Sequence, residues 1–514
     1  MFWLLMSMLL HAEAELPMLY RVDVPDYPGA LVTSTQGSML AAPPTDGTPW
    51  RLASLGELDE VGPMGDHVAW EAIEAMGIDR WHEAGYDGSG VKIAVLDVQW
   101  YGAALDTAEL GPVETHDCFV HPSCELPIDT LRPTFSFETG AHGVACAEVI
   151  RDIAPGAELH LVRVSGLTTM ENAVAWAIRE EIDLISMSLS FFNESFYDGT
   201  GPLNSLMEPL AAAGVLMVTS AGNYADQHYR ATFSDADLDR YHDFDDARGL
   251  PVYLPAGRSS LYLLWDQFRS CGRSDLDAFV MDSAGDVVGW SASPQVQGED
   301  SCFPSERVSA HAAEEGWHYV NVKLAAGAGD TRFDLHTRRG EFFGYVAEGS
   351  ITDPGTSALA LTVGAVRATR YETAPIEVFS SQGPTHSGLS KPDIVGPNGL
   401  SSSVYGPSGF YGTSASTPAV VGALALVMSR EPDINGYTAA ARLQAWALRI
   451  DDAPTWSAPD TREGAGRARL PDPRLLGGGC SDQQRSLLIL PAAMVGAFMR
   501  QRRRRGYTAS QEGR

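Results

Sequence analysis

Between Val91 and Asn223, short apolar runs alternate with amphipathic stretches of helical length, and this alternation restricts the fold more than any other feature of the chain. "VKIAVLD" (Val91 to Asp97) is almost continuously apolar, as expected of a strand covered on both faces in a parallel sheet. "HGVACAEVI" predicts a helix that opens at His142. "LHLVRV" (Leu159 to Val164) predicts a strand and "MENAVAWAIREE" (Met170 to Glu181) an amphipathic helix. "IDLISMSL" (Ile182 to Leu189) follows as a strand, Leu203 to Ala213 as a helix containing Pro209, and "VLMVTSAGN" (Val215 to Asn223) as a strand. Buried strands and helices in this rhythm predict an α/β fold with a parallel sheet and right-handed crossovers.

The rhythm then breaks. From about Asp235 to Phe343 the runs are short, alternating and bounded by turns, as in "LPVYLPAG", "SSLYLLWDQF" and "HYVNVKLAAG". That pattern predicts a small antiparallel β-sandwich. The α/β pattern resumes at "ALALTVGAV" (Ala358 to Val366) and runs through "GTSASTPAVVGALALV" (Gly412 to Val427), so one domain is expected inside another. In the last motif Pro418 is expected in the first turn of a helix, where a missing N–H costs nothing. Ser414 then stands beside the helix N-terminus, whose dipole favours nearby negative charge. Residues 454 to 479, rich in Gly, Pro and Arg, read as domain edge and linker.

The formal net charge of −30 argues against a nucleic-acid partner. The N-terminus reads as a secretory signal, with an apolar run from Phe2 to Leu10 and a small-x-small site at Ala12-Glu13-Ala14, although a basic n-region is missing. Six cysteines suit an exported chain. Cys118 and Cys124 share a loop-like stretch and read as a pair; Cys271 and Cys302 are candidates for a second. Cys146 follows His142 by four residues, on one helical face; a Cys–His catalytic pair is the alternative, and a buried inert thiol is the default reading. Near the C-terminus, Cys480, a polar spacer, the apolar run Leu487 to Met499 and the arginines Arg500 and Arg502 to Arg505 come in sequence. The bland reading is an amphipathic or disordered basic tail. The order of parts instead resembles the C-terminal sorting tails of myxobacterial and related Gram-negative exported proteins, which implies membrane contact and processing near Cys480, the arginines resisting translocation.

Acyl transfer by serine requires a hydroxyl nucleophile, an imidazole base, a carboxylate to hold the imidazole and donors for an oxyanion. The chain offers one of each at a strand or helix end: Asp97, His142, Asn223 and Ser414. Singly, each has a blander reading as turn former, core residue or helix cap. Together, in the order Asp, His, Ser, they follow one of the known triad arrangements.

On these residues the chain resembles the subtilisin-like serine proteases, or subtilases, over roughly Ala69 to Leu476 apart from the insert. "GYDGSGVKIAVLD" resembles the strand with the catalytic Asp and "HGVACAEVIRDIAPGAELHLVRV" the catalytic His helix with its following strand. "LISMSLS" resembles the substrate-aligning strand, "VTSAGN" the oxyanion segment, and "VFSSQGPTHSGLSKPDIVGPNG" with "GTSASTPAVVGALALV" the closing signature. The resemblance implies Asp97, His142 and Ser414 as catalytic residues and Asn223 in the oxyanion hole. It implies Ser188, Leu189, Ser190, Ser220, Ala221 and Gly222 as substrate-binding residues and a protein or peptide as substrate. Where the family has Ser/Thr-Gly after the Asp, this chain has Val98-Gln99 and then Trp100; Val144 stands for a Thr and Ser190 for a Gly. The expected division is 1–14 signal peptide, 15–65 short leader, 66–234 and 344–476 catalytic domain, 235–343 inserted β-sandwich and 477–514 sorting tail. No cofactor is expected: Asp275, Asp277 and Asp282 of the insert are candidate calcium ligands but read more simply as a solvated turn and strand edge. The competing reading is a catalytically weak or inactive surface scaffold that binds a partner through the insert.

Overall fold

The computed structural model describes strand positions 19–24, 27–33 and 54–55 and residues 69–101, 109–129, 140–268, 273–295, 304–450 and 460–476. The expected signal peptide, Cys271, Cys302 and the tail with Cys480 lie outside the described residues. Seven strands form one sheet: β1 (Lys92–Asp97), β2 (Glu114–Asp117), β3 (Glu158–Arg163), β4 (Leu184–Met187), β5 (Leu216–Ser220), β6 (Leu361–Arg367) and β7 (Ile394–Asn398). Their spatial order is β7-β6-β5-β4-β1-β3-β2, and every neighbouring pair is parallel.

Alternate residues of these strands feed two cores, which is why the strands read as continuously apolar. Ile93, Val95, Leu159, Leu161, Val218 and Val363 face α1 (His142–Ile153) and α4 (Thr413–Arg430). Ala94, Leu96, Val162, Ile185, Met187 and Met217 face α2 (Leu167–Arg179) and α3 (Met207–Ala213). The result is a three-layer α/β/α arrangement. Every residue of α4 from Thr413 to Met428 is buried, so its lack of a polar face is what the position demands. Pro209 is the third residue of α3, early enough in the helix for its missing N–H to be harmless.

Between β5 and β6 the chain builds two antiparallel sheets. One contains His228–Thr232, Arg332–Arg338, Gly257–Trp265 and Ser305–Ala312; the other contains Val287–Ser291, Ser274–Met281, Gly316–Gly327, Leu250–Leu254 and Glu341–Phe342. Leu261, Leu263, Val308 and Leu335 of the first share a core with Val252, Leu276, Val280 and Val320 of the second. Antiparallel pairing begins at His228, earlier than the expected boundary near Asp235, because His228–Thr232 lies in register on Arg332–Arg338. Tyr262, on the far face of its strand, stacks on Phe192 at 4.5 Å and anchors these sheets beside the segment that follows β4. Asp282 is a turn former: its Oδ1 accepts the backbone N–H groups of Ala284 and Asp286. Cys118 and Cys124 are disulfide-bonded. The strand Ser54–Leu55 pairs antiparallel with Phe191–Phe192, directly after Ser188 to Ser190.

Candidate active site

Asp97 closes β1 at the carboxyl edge of the sheet, the edge where sites form in open α/β folds. Its two oxygens have separate partners. Oδ1 accepts the backbone N–H groups of Val98 at 2.8 Å and Gln99 at 2.9 Å, and Oδ2 lies 2.7 Å from His142 Nδ1. Both Asp97 and His142 are 1% exposed. Since backbone groups hold Oδ1, the Val98-Gln99 departure leaves the carboxylate anchored. The indole N–H of buried Trp100 donates to the Asp97 carbonyl at 3.0 Å. Gly143 is required here: a Cβ would stand 2.7 Å from Asp97 Cβ and 2.8 Å from the Trp100 ring. Its N–H donates to the Gln99 carbonyl at 3.0 Å, joining the start of α1 to the end of β1.

His142 Nδ1–H faces a carboxylate, which assigns the free lone pair to Nε2. Nε2 is buried and has no hydrogen-bond partner among the described residues, so it is not bonded to Ser414 Oγ in this state. Such contacts are often open in substrate-free enzymes and tighten in the complex. Phe410 stands edge-on to the imidazole with ring centres 5.7 Å apart.

Ser414 is the second residue of α4, not a residue ahead of it. Pro418 therefore lies in the second turn rather than the first, a correction with a chemical consequence. A residue at 418 would normally donate its N–H to the carbonyl of Ser414, and proline has none. The freed carbonyl accepts the Ser188 hydroxyl at 3.1 Å and the Cys146 thiol at 3.8 Å. Ser188, the residue after β4, thus fixes the backbone of Ser414.

Asn223 Oδ1 accepts both the N–H and the hydroxyl of Thr413 at 2.9 Å. Its NH₂ group points along the turn before Ser414, where a Cβ on Gly412 (φ 98°) would sit 2.7 Å from Nδ2. Gly222 donates to Thr413 Oγ1 at 3.3 Å and accepts from Ser381 N–H at 3.0 Å. Ala221 N–H donates to the Val363 carbonyl. Leu189, Ser190, Ser220 and Ala221 are all buried.

Burial is the largest influence on His142 and opposes its charge; the Cys146 sulfur and the Asp97 carboxylate raise it, and the net direction is upward from 6.5. Burial also pushes the Cys146 thiol up, so at neutral pH it carries no charge and Asp97 is the effective cause. Cys146 Sγ lies 4.0 Å from Nδ1, the nitrogen already given to Asp97, and so approaches the wrong face of the ring for a Cys–His couple. Trp100 and Phe410, which pack the imidazole and its carboxylate, carry no sequence signal beyond being aromatic near a motif.

The profile of the Subtilase family matches residues 135–259 and 276–466, more than half of the chain, starting after the strand that carries Asp97. Subtilisin E of Bacillus subtilis (strain 168) is 26% identical over 181 residues, which are 31% of this chain and 42% of that protein. Serine protease AprX of the same organism is 28% identical over 143 residues, 24% of this chain and 29% of its own. The chain thus spans less than half the length of these curated relatives. The solved CspB protease of Clostridium perfringens superposes with a TM-score of 0.53 at 17% identity, covering 78% of this chain and 97% of that one, a likeness of fold. A three-layer α/β sheet with His142 and Ser414 at neighbouring helix starts, matched over most of its length by that profile, makes this chain a member of the Subtilase family.

Proposed function

We propose that the protein is an exported serine endopeptidase in which Ser414 attacks a peptide carbonyl, His142 moves the proton and Asp97 orients the imidazole. The observation that carries this reading is the 2.7 Å contact between Asp97 Oδ2 and His142 Nδ1, with Nε2 left buried and unpartnered. A buried polar atom without a partner costs about 1–3 kcal/mol and calls for a reason. Accepting a proton from a substrate-aligned Ser414 supplies one. The backbone N–H of Ser414 and the Asn223 NH₂ flank the same turn and serve the oxyanion; one such donor is typically worth ~2.7–4 kcal/mol of barrier. Ser188 to Ser190 and Ser220 to Gly222 are the segments along which a peptide is aligned. We read the two antiparallel sheets as an inserted β-sandwich and Ser54–Leu55 as leader chain paired with Phe191–Phe192, directly after the segment that aligns the substrate. The C-terminal segment with Cys480 and the arginine cluster serves as a sorting tail.

An active-site fluorophosphonate probe tests the reading. It should label the wild-type protein on the peptide containing Ser414 and fail to label Ser414→Ala or His142→Ala. A folded wild-type protein that takes up no probe would favour the inactive scaffold instead.

A further inference from the structure

A second histidine cluster lies away from the catalytic end, on the sheet face covered by α2. Glu114 and His116 point from the edge strand β2, and His160 points from β3, where it pairs in register with Glu114. His116 Nε2 lies 3.1 Å from His160 Nδ1, and Glu114 Oε2 lies 3.9 Å and 3.6 Å from those two nitrogens.

The outer partners of the two rings set their tautomers. His116 Nδ1 lies 3.1 Å from the Cys124 carbonyl, an acceptor only, so Nδ1 carries the proton and Nε2 the lone pair. His160 Nε2 lies 3.0 Å from Glu158 Oε1, so Nε2 carries the proton and Nδ1 the lone pair. Two lone pairs and a carboxylate oxygen therefore converge on one point. Two neutral imidazoles held this way repel one another unless something electrophilic lies between them. A ligating histidine that gives its other N–H to a carbonyl or carboxylate is the usual outer arrangement of a metal site. For a tetrahedral zinc with nitrogens at ~2.0–2.1 Å, ligand nitrogens stand about 3.3–3.4 Å apart, a spacing that the observed 3.1 to 3.9 Å brackets.

The surroundings are built to hold this geometry. The Cys124 carbonyl belongs to a loop closed by the Cys118–Cys124 disulfide. That loop is tied to α2 by Asn172, which donates to the Cys118 carbonyl, and by Arg179, which donates to the Ser123 carbonyl. Trp176 packs its ring 4.4 Å from His116 and 5.6 Å from His160, drying one side. Glu114 is exposed, leaving the other side open to solvent.

We propose that Glu114, His116 and His160 bind one divalent transition-metal ion of the zinc class, with solvent completing the coordination. The ion clamps the edge strand β2 to β3. Its N₂O donor set suits zinc or cobalt(II) and is too rich in nitrogen for calcium.

Titration of the metal-stripped, untagged protein with zinc tests this by calorimetry and by thermal melting. One equivalent should bind and raise the melting midpoint. Glu114→Gln, a change at an exposed position that leaves the fold intact, should weaken binding at least tenfold, and Glu158→Gln by about 10–100-fold. His116→Ala should abolish binding. Cys146→Ala should leave it unchanged, which separates this site from Asp97, His142 and Cys146, another cluster close enough to chelate. Cobalt(II) in place of zinc should give visible d–d absorption without a thiolate charge-transfer band. No binding by wild type, full binding by Glu114→Gln and His116→Ala, or loss of the ion in Cys146→Ala would each overturn the proposal.

Discussion

At the carboxyl end of the parallel sheet, His142 Nδ1 lies 2.7 Å from Asp97. Where the antiparallel sheets meet the α/β layers, His228 Nε2 and His386 Nε2 lie 2.7 Å from the two oxygens of Asp334. All these carboxylates and rings are buried, and the contact lengths are the same. What differs is the atoms left over. His228 gives its second nitrogen to the Val346 carbonyl at 2.5 Å, and Arg230 reaches both Asp334 and His386. Every oxygen of Asp334 has an imidazole. The Asp97 pair instead fixes one side of His142 and leaves Nε2 with nothing. Asp334, with an imidazole on each oxygen, is arranged as a structural ion cluster, whereas the open Nε2 of His142 is the atom that the proposed proton transfer needs. Distance alone would not separate them.

The largest expected effect tests that distinction on catalysis. Asp97→Asn should lower kcat by about 10⁴-fold, because an amide holds the imidazole in the wrong tautomer, with little change in urea midpoint. Asp334→Asn should leave kcat of the folded protein within a few fold. Peptide hydrolysis by both variants, normalised to folded protein, checks it; equal losses of kcat would erase the contrast.

Stability should invert the order. Asp334→Ala leaves His228, His386 and Arg230 facing a space without counter-charge, and breaking a buried pair in this way costs about 3–5 kcal/mol. Urea unfolding of Asp334→Ala beside Asp97→Asn reads the difference. A loss below about 1 kcal/mol for Asp334→Ala would refute that structural role.

The two clusters differ as sharply in how far the amino-acid sequence reveals them. Asp97, His142, Asn223 and Ser414 each stand where a buried strand ends or a helix begins, inside a short motif, so their grouping is legible in the linear chain. The layers are legible for the same reason: strands buried on both faces must read as unbroken apolar runs. Asp334 and its histidines are not. They come from His228–Thr232, Arg332–Arg338 and a loop after β6, and only the antiparallel register of the first two brings them together. Each is a lone residue with no spacing rule. The pairing of Glu114 with His160 likewise depends on which strand takes the sheet edge, and β2 is only four residues long. Pro418 misleads because the Gly-Thr-Ser turn enters the helix earlier than a proline-first start implies. Gly412 supplies that bend with its positive φ.

The pH profiles should separate the sites next. His142 is raised above 6.5, so its base form, and with it kcat/KM, appears as pH rises through a midpoint above 6.5. The sign for stability is opposite: a raised histidine stabilises the fold below the unfolded value of about 6.5 and loses that contribution as pH rises through the folded value. Burial works against the charge on Asp334, and His386 and His228 outweigh it, holding the carboxyl well below 3.8. Its contribution is complete above an unfolded value of about 3.9 and is lost as pH falls from there through the folded one. Asp334→Ala should therefore flatten the acid limb of stability below about pH 4 without moving the activity midpoint. A shifted activity midpoint in that variant would mean the two clusters are coupled.

The smallest effect concerns the Cys146 sulfur, which touches both His142 and Ser414 of the proposed catalytic group without belonging to it. Sγ lies 4.0 Å from His142 Nδ1 and donates to the Ser414 carbonyl at 3.8 Å. The thiol is held protonated by burial, and the ring nitrogen it approaches is the one occupied by Asp97. Neither proton transfer nor nucleophilic attack is open to it in this arrangement. What it supplies is packing and a weak hydrogen bond to a carbonyl that Ser188 already serves at 3.1 Å. Cys146→Ala removes one buried heavy atom, so the expected cost is that of a single deleted methyl-sized group, about 0.5–1.5 kcal/mol of stability. Activity should stay within about threefold of wild type. Labelling by an active-site serine probe should remain on Ser414, and the activity midpoint should not move. A loss of activity of 10²-fold or more in a folded Cys146→Ala protein would show that the thiol shares in the chemistry. His142 would then have to be redrawn as a residue with two partners rather than one.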